Sequence, residues 1–228
     1  MRTWIRSKGR FMDMSYTGYM TRGRKGNAWQ HRRSAVVYAL ITVLAALSLM
    51  ASTGDMGAAE RSVFDWIYGM PDSLRWFALV ATQLGNFWLM IAVVGLLLVI
   101  KWNPRPSLLV LRGGVLAYGI VAVIKVVVSR PRPMILLSEV TSREITVVGS
   151  GFPSAHTALA TVVSLTVLPY LPKQLRWVPV LWIGLVAWSR IYLGVHAPLD
   201  VAGGFIIGLL VILLADVIPW PPARKSSK

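Results

Sequence analysis

Residues 76–100 read WFALVATQLGNFWLMIAVVGLLLVI, a run without a single charge in which Thr82, Gln83 and Asn86 are the polar interruptions. A bilayer core of about 30 Å takes roughly 20 mostly apolar residues in helical form, so this run is long enough to cross with some tilt. Working outward, five more runs of the same character appear: Ser34–Ser52, Leu108–Val128, Ala155–Leu171, Val178–Val195 and Val201–Ile218. Breaker residues separate them, at Met70-Pro71-Asp72, at Asn103-Pro104-Arg105-Pro106, at Leu171-Pro172-Lys173 and along the longer segment Ser129–Pro153. The pattern predicts an all-α protein: a six-transmembrane-helix bundle forming one domain over residues 34–220. A basic, disordered tail is expected at residues 1–33 and a short basic tail at 221–228. No internal repeat is visible.

Composition agrees. Of 228 residues, 55% are hydrophobic and 14% charged, with a mean hydropathy of +0.60, against about 25% charged in an ordinary soluble domain. Without cysteine there are no disulfides, iron–sulfur clusters or Cys-ligated zinc, and with three histidines a His-rich metal centre is disfavoured. The net charge of +15 suggests nucleic acid in a soluble protein, but here its distribution decides. Under alternating spans, 17 of the 24 Lys and Arg residues fall on the side of the termini, nine of them before Ser34. That side carries the whole excess and the opposite side is neutral, which places both termini in the cytoplasm by the positive-inside rule. The N-terminal cations read as a tail held to anionic lipid at about 1 kcal/mol per basic residue, in preference to a nucleic-acid site or a cleaved signal. The expected setting is a multi-pass protein of a bacterial plasma membrane, with membrane lipids as partners, no nucleic acid and an undetermined oligomeric state. The segment Ala51–Asp72, with Phe64, Trp66, Ile67 and Tyr68, reads as a short interfacial helix that helps admit a lipid tail.

Ionisable groups inside apolar spans cost about 2.5–3.5 kcal/mol each, so their placement carries functional weight. Here they gather at one membrane face. Lys125 lies late in the third run, followed by Arg130 and by Arg132 bracketed between Pro131 and Pro133. A fixed guanidinium beside a lysine makes an oxyanion clamp, the bland alternative being snorkelling to headgroups. Ser154 precedes the fourth run as an N-cap, and the N–H groups of the first helical turn, with His156 at the rim, suit a bound phosphate; an ordinary cap is the plainer reading. Ser189 and Arg190 end the fifth run. His196 and Asp200 flank Pro198 at the start of the sixth, where the carboxylate fixes the imidazole tautomer and frees the other ring nitrogen as a nucleophile. A structural His–Asp pair is the alternative.

In order and spacing these three groups resemble the signature of the phosphatidic acid phosphatase type 2 superfamily, K-x6-R-P, P-S-G-H and S-R-x5-H-x3-D. They stand here as Lys125 to Arg132-Pro133, Pro153-Ser154-Ala155-His156, and Ser189-Arg190 to His196 to Asp200. The resemblance implies an extracytoplasmic active site in which His196 attacks phosphorus and Asp200 orients it. Lys125, Arg132 and Arg190, with Ser154 and backbone N–H groups such as that of Ala155, then bind the phosphoryl oxygens. His156 serves as acid and then base, and neither cofactor nor metal is needed. Ala155 departs from the family's glycine; its methyl restricts the backbone while leaving an N–H to donate. The implied activity is hydrolysis of a lipid phosphate or pyrophosphate, such as undecaprenyl diphosphate, phosphatidylglycerol phosphate or phosphatidic acid, through a phosphohistidine. A phosphotransferase using the same intermediate, or an inactive transporter or scaffold of the same fold, are the alternatives.

Overall fold

The computed structural model describes residues 30–101, 104–144 and 149–215; the expected tails, apart from residues 30–33, lie outside them. By contacts the chain divides at Ile41, and the described part of the first unit is the opening of helix α1 (Gln30–Ser52). The second unit contains the rest of α1 and eight more helices: α2 (Ala58–Tyr68), α3 (Arg75–Gln83), α4 (Phe87–Lys101), α5 (Pro104–Val128), α6 (Pro133–Leu136), α7 (Ala155–Val167), α8 (Val178–Tyr192) and α9 (Pro198–Ala215). Every regular element among the described residues is helical.

The expected run Trp76–Ile100 is not one straight span. It breaks at residues 84–86, and the helices on either side meet at 52°. The polar interruptions make that break. Asn86 caps α4, its side chain accepting from the Trp88 N–H at 2.9 Å and donating to Gln83 Oε1 at 3.0 Å. A side chain at Gly85 would meet the His156 carbonyl at 2.7 Å, so glycine lets the break pack against the start of α7. Among the described residues three helices are long and apolar enough to cross a membrane, or four if the bent pair counts as one span. The fourth and fifth expected spans are helices too, but α8 has 15 residues and the apolar helix from Ala155 ends at Tyr170. The helix from Ala155 matches the expected run to within a residue, and α8 gives up residues 193–195 to the turn that leads to His196.

At the centre lies α7, with small residues on most faces and nine of its 13 residues buried. Its Ala158 and Val162 pack against Ala117 and Val121 of α5 and Ile207 and Val211 of α9. Leu159 and Val163 meet Met90 and Leu97 of α4 and Val110 of α5. A further apolar cluster, with Phe64, Ile67, Ala78, Tyr192, Leu193 and Val201, joins α2, α3, the end of α8 and the start of α9. Phe64 and Ile67 are therefore core residues of α2, and Tyr68 hydrogen-bonds the Thr141 carbonyl, while Trp66 alone of that aromatic group is widely exposed, at 71%. Large side chains facing out of the helices are apolar, among them Leu49, Val99, Val126 and Trp88, as a hydrocarbon surround requires.

Candidate active site

α9 begins at Pro198, whose fixed φ and missing N–H suit a first helical position, so Ala197 is the cap and His196 stands one residue before it. Asp200 reaches back from the first turn: its Oδ2 accepts from the Ala197 N–H at 2.9 Å and lies 3.3 Å from His196 Nδ1. Arg132 Nη1 lies 3.4 Å from the other ring nitrogen, Nε2. Guanidinium has donors only, so Nε2 presents its lone pair and Nδ1 carries the hydrogen shared with Asp200. Both members of the pair are buried. Burial, with Arg190, Arg132 and Lys125 nearby, pushes the His196 imidazole well below its ordinary value of 6.5. Nε2 is therefore unprotonated at the ordinary titration point of 6.5. Followed by NMR against pH, the His196 ring should show no titration at 6.5. Ring resonances that move through a midpoint at 6.5 would place His196 back at its ordinary value.

The other sequence-selected residues converge on this pair. Arg132 is held in extended backbone ahead of Pro133, and donates through Nη1 to the Val195 carbonyl and through Nε to that of Gly149, both at 2.8 Å. Lys125 binds the carbonyls of Ser150 and Gly151. Arg190 donates to Thr82 Oγ1 at 2.6 Å and to Glu144 Oε2 at 2.8 Å, and its buried Nε–H has no acceptor among the described residues. An orphaned buried donor costs about 1–3 kcal/mol, which a phosphoryl oxygen at this position would relieve. Ser154 caps α7 as expected, but its hydroxyl is taken up by Thr157 and its N–H by the Asp200 carbonyl, at 2.8 Å. The N–H groups of Ala155 and His156 follow it as open donors of the first turn. His156 lies within electrostatic range of His196, Arg132, Arg190 and Lys125.

Several partners escape a reading of the sequence. Asp200 Oδ1 accepts from Arg130 Nη1 at 3.1 Å, and Arg130 in turn meets Glu60 of α2 at 2.7 Å and the Asp55 carbonyl at 2.8 Å. Arg143 lies between the rings of Tyr68 and Tyr192, 4.2 and 4.4 Å from their centres, next in the chain to the Glu144 that holds Arg190. Separations of 46 to 75 residues hide these pairings; the one signal available was that Arg130 stands beside the Lys125 and Arg132 group. A cavity of about 710 Å³, bordered by Met50, Met56, Val63, Leu199 and Ala202, reaches Glu60 but neither ring nitrogen of His196.

The PAP2 superfamily model matches residues 84–222, which hold all eight selected side chains. The chain is 26% identical over 148 residues to an undecaprenyl-diphosphatase of Sulfolobus acidocaldarius, covering 65% of this chain and 72% of the relative. It is 32% identical over 139 residues to a decaprenylphosphoryl-5-phosphoribose phosphatase of Mycobacterium tuberculosis, covering 58% and 71%. Among solved structures, LpxE of Aquifex aeolicus superposes with a TM-score of 0.65 at 24% identity, covering 71% of this chain and 96% of that one. A transmembrane PAP2-type phosphatidylglycerolphosphate phosphatase from Bacillus subtilis gives 0.62 at 22%, covering 77% and 94%. With the match running from the break before α4 past the end of α9, and the buried histidine–aspartate pair within it, the chain belongs to the PAP2 superfamily of membrane lipid phosphatases.

Proposed function

We propose that this protein hydrolyses a polyprenyl phosphate or diphosphate at the extracytoplasmic face of a bacterial plasma membrane, through a phosphohistidine on His196. The observation that carries this reading is the aim of Nε2: the unprotonated nitrogen of a carboxylate-oriented imidazole faces Arg132, with Lys125 and Arg190 beside it. Nε2 attacks phosphorus, the bond to the leaving oxygen breaks, and His156 supplies that oxygen with a proton. Water, giving a proton to His156, then cleaves the N–P bond and releases inorganic phosphate. Arg132, Arg190 and Lys125 exchange protein carbonyls and Glu144 for the phosphoryl oxygens, where their charge counts most as the transition state forms. The first N–H groups of α7 add donors. Both cited curated relatives carry polyprenyl-linked phosphates in their names, which favours a prenyl over a glycerol lipid.

The topology belongs to the same proposal: six crossings, with α7 and α8 as short spans and both termini cytoplasmic, set Lys125, Arg132, His156, Arg190 and His196 at the outer face. The charge asymmetry of the sequence supports it. The test is phosphate release by the purified, detergent-solubilised chain in excess EDTA, over a panel of polyprenyl and glycerol lipid phosphates. Release should survive chelation, because side-chain cations carry the phosphoryl charge, and polyprenyl diphosphate should give the highest kcat/KM. Loss of release on chelation, restored by a divalent cation, would overturn the mechanism. A glycerolipid preferred over every prenyl substrate would overturn the substrate class.

A further inference from the structure

Asp200 has two oxygens with different duties. Oδ2 is shared between the His196 Nδ1–H and the Ala197 N–H, while Oδ1 faces Arg130, whose side chain is wholly buried. Left alone with Asp200, that guanidinium would cancel the charge the imidazole needs. It is not left alone. Glu60 Oε2 takes Arg130 Nη2 at 2.7 Å, and Oε1 takes Arg130 Nη1 at 3.0 Å and the Leu199 N–H in the first turn of α9 at 2.9 Å. Arg130 is therefore a bridge between two carboxylates, and the trio keeps one net negative charge beside His196. The same bonds fix the Asp200 carboxylate plane and tie α2 to the start of α9.

We infer that Glu60 and Arg130 are positioning residues for catalysis, Arg130 setting the orientation of the Asp200 carboxylate and Glu60 preserving its charge. The inference rests on the phosphohistidine reading, because it is there that the charge is needed. When Nε2 bonds phosphorus, the imidazole takes on positive charge, and the carboxylate opposite Nδ1–H stabilises it only so far as it is not neutralised from behind. Glu60 touches neither His196 nor the cations proposed to hold phosphate. Its removal should lower turnover and leave substrate affinity alone.

The experiment uses the full purified chain in detergent, with phosphate release from one polyprenyl phosphate and thermal unfolding followed side by side. Glu60→Gln, which keeps shape and removes charge, should lower kcat about 10- to 100-fold with KM within about twofold of wild type. Glu60→Asp, keeping the charge on a shorter arm, should recover most of that loss. Because Glu60 acts through Arg130, Glu60→Gln should add little further loss in an Arg130→Gln background. Wild-type kcat in a folded Glu60→Gln variant would overturn the inference, as would a rise in KM matching the fall in kcat, or fully additive losses in the double variant. If Glu60→Gln does not unfold cooperatively, Arg130→Lys, which keeps a charge but loses the fork that orients Asp200, decides alone: a fall in kcat at unchanged KM supports the role, and wild-type kcat refutes it. His196→Ala, run in parallel, separates the two layers. If it retains phosphate release, the phosphohistidine reading fails and the inference with it. If it is inactive while folded Glu60→Gln or, in its place, Arg130→Lys has wild-type kcat, the inference alone fails.

Discussion

Replacing His196 by alanine should lower phosphate release by about 10⁴-fold or more while leaving the protein folded, since removal of a covalent nucleophile costs on that order or higher. The fold has little to lose. The imidazole contributes contacts to Asp200 and Arg132, and both keep other partners: Asp200 retains Arg130 and the Ala197 N–H, and Arg132 retains the carbonyls of Val195 and Gly149. Thermal unfolding in detergent should therefore shift little. Acid-labile phosphate on the protein, trapped by rapid quench with a radiolabelled lipid phosphate, should be present in the wild type and absent from the variant. The same measurement separates the remaining chemistries. A phosphotransferase shows the phosphoenzyme but passes its label to an added acceptor lipid in preference to water, and a scaffold shows neither phosphoenzyme nor product. Phosphate release at the wild-type rate from His196→Ala would refute nucleophilic catalysis at this residue.

How much of this was legible beforehand follows from the range of the interactions. Apolar length is a local property, so α1, α5 and α9 could be read as spans directly. Straightness is not local. Thr82, Gln83 and Asn86 read as flaws in a span, whereas Asn86 caps a new helix and Thr82 accepts from Arg190, both through the bend at residues 84–86. The eight proposed site residues could be selected because they fall in three short groups of the residue types that phosphoryl chemistry uses, with His196 and Asp200 one helical turn apart. Arg130, Glu60 and Glu144 were not, because a buried ion pair between elements 46 or 70 residues apart leaves no periodicity. Ser154 was half legible: its capping geometry was written in the sequence, and the commitment of its hydroxyl to Thr157 was not. Gly204 and Gly208, spaced for helix packing, lie against α7 of the same chain.

That contact makes the second large expected effect. A Cβ built on Gly204 lies 2.3 Å from the Ser154 carbonyl oxygen and 3.2 Å from Thr157 Cβ, and one on Gly208 lies 2.5 Å from Thr161 Cβ. Ser154 Oγ and Thr157 are fully buried, and the oxygen in the way belongs to backbone, so no rotamer change relieves the clash. Gly204→Ala must push α9 from α7, and overpacking of this kind costs about 1–3 kcal/mol. The shift begins one turn after Asp200, whose carbonyl accepts the Ser154 N–H at 2.8 Å, so it also moves the carboxylate off Nδ1. Turnover should fall together with the unfolding midpoint, and further in Gly204→Val. Gly119 in α5 supplies the contrast, since a Cβ there meets nothing within 4 Å. At Gly119, alanine should be neutral or stabilising by up to about 1 kcal/mol, because helical glycine is the less favourable residue. Equal unfolding midpoints and equal phosphate release for Gly204→Ala and Gly119→Ala would mean that α9 does not approach α7 as closely as the site requires. The two motifs bearing Ser154 and Asp200 would then have to be joined by some other contact.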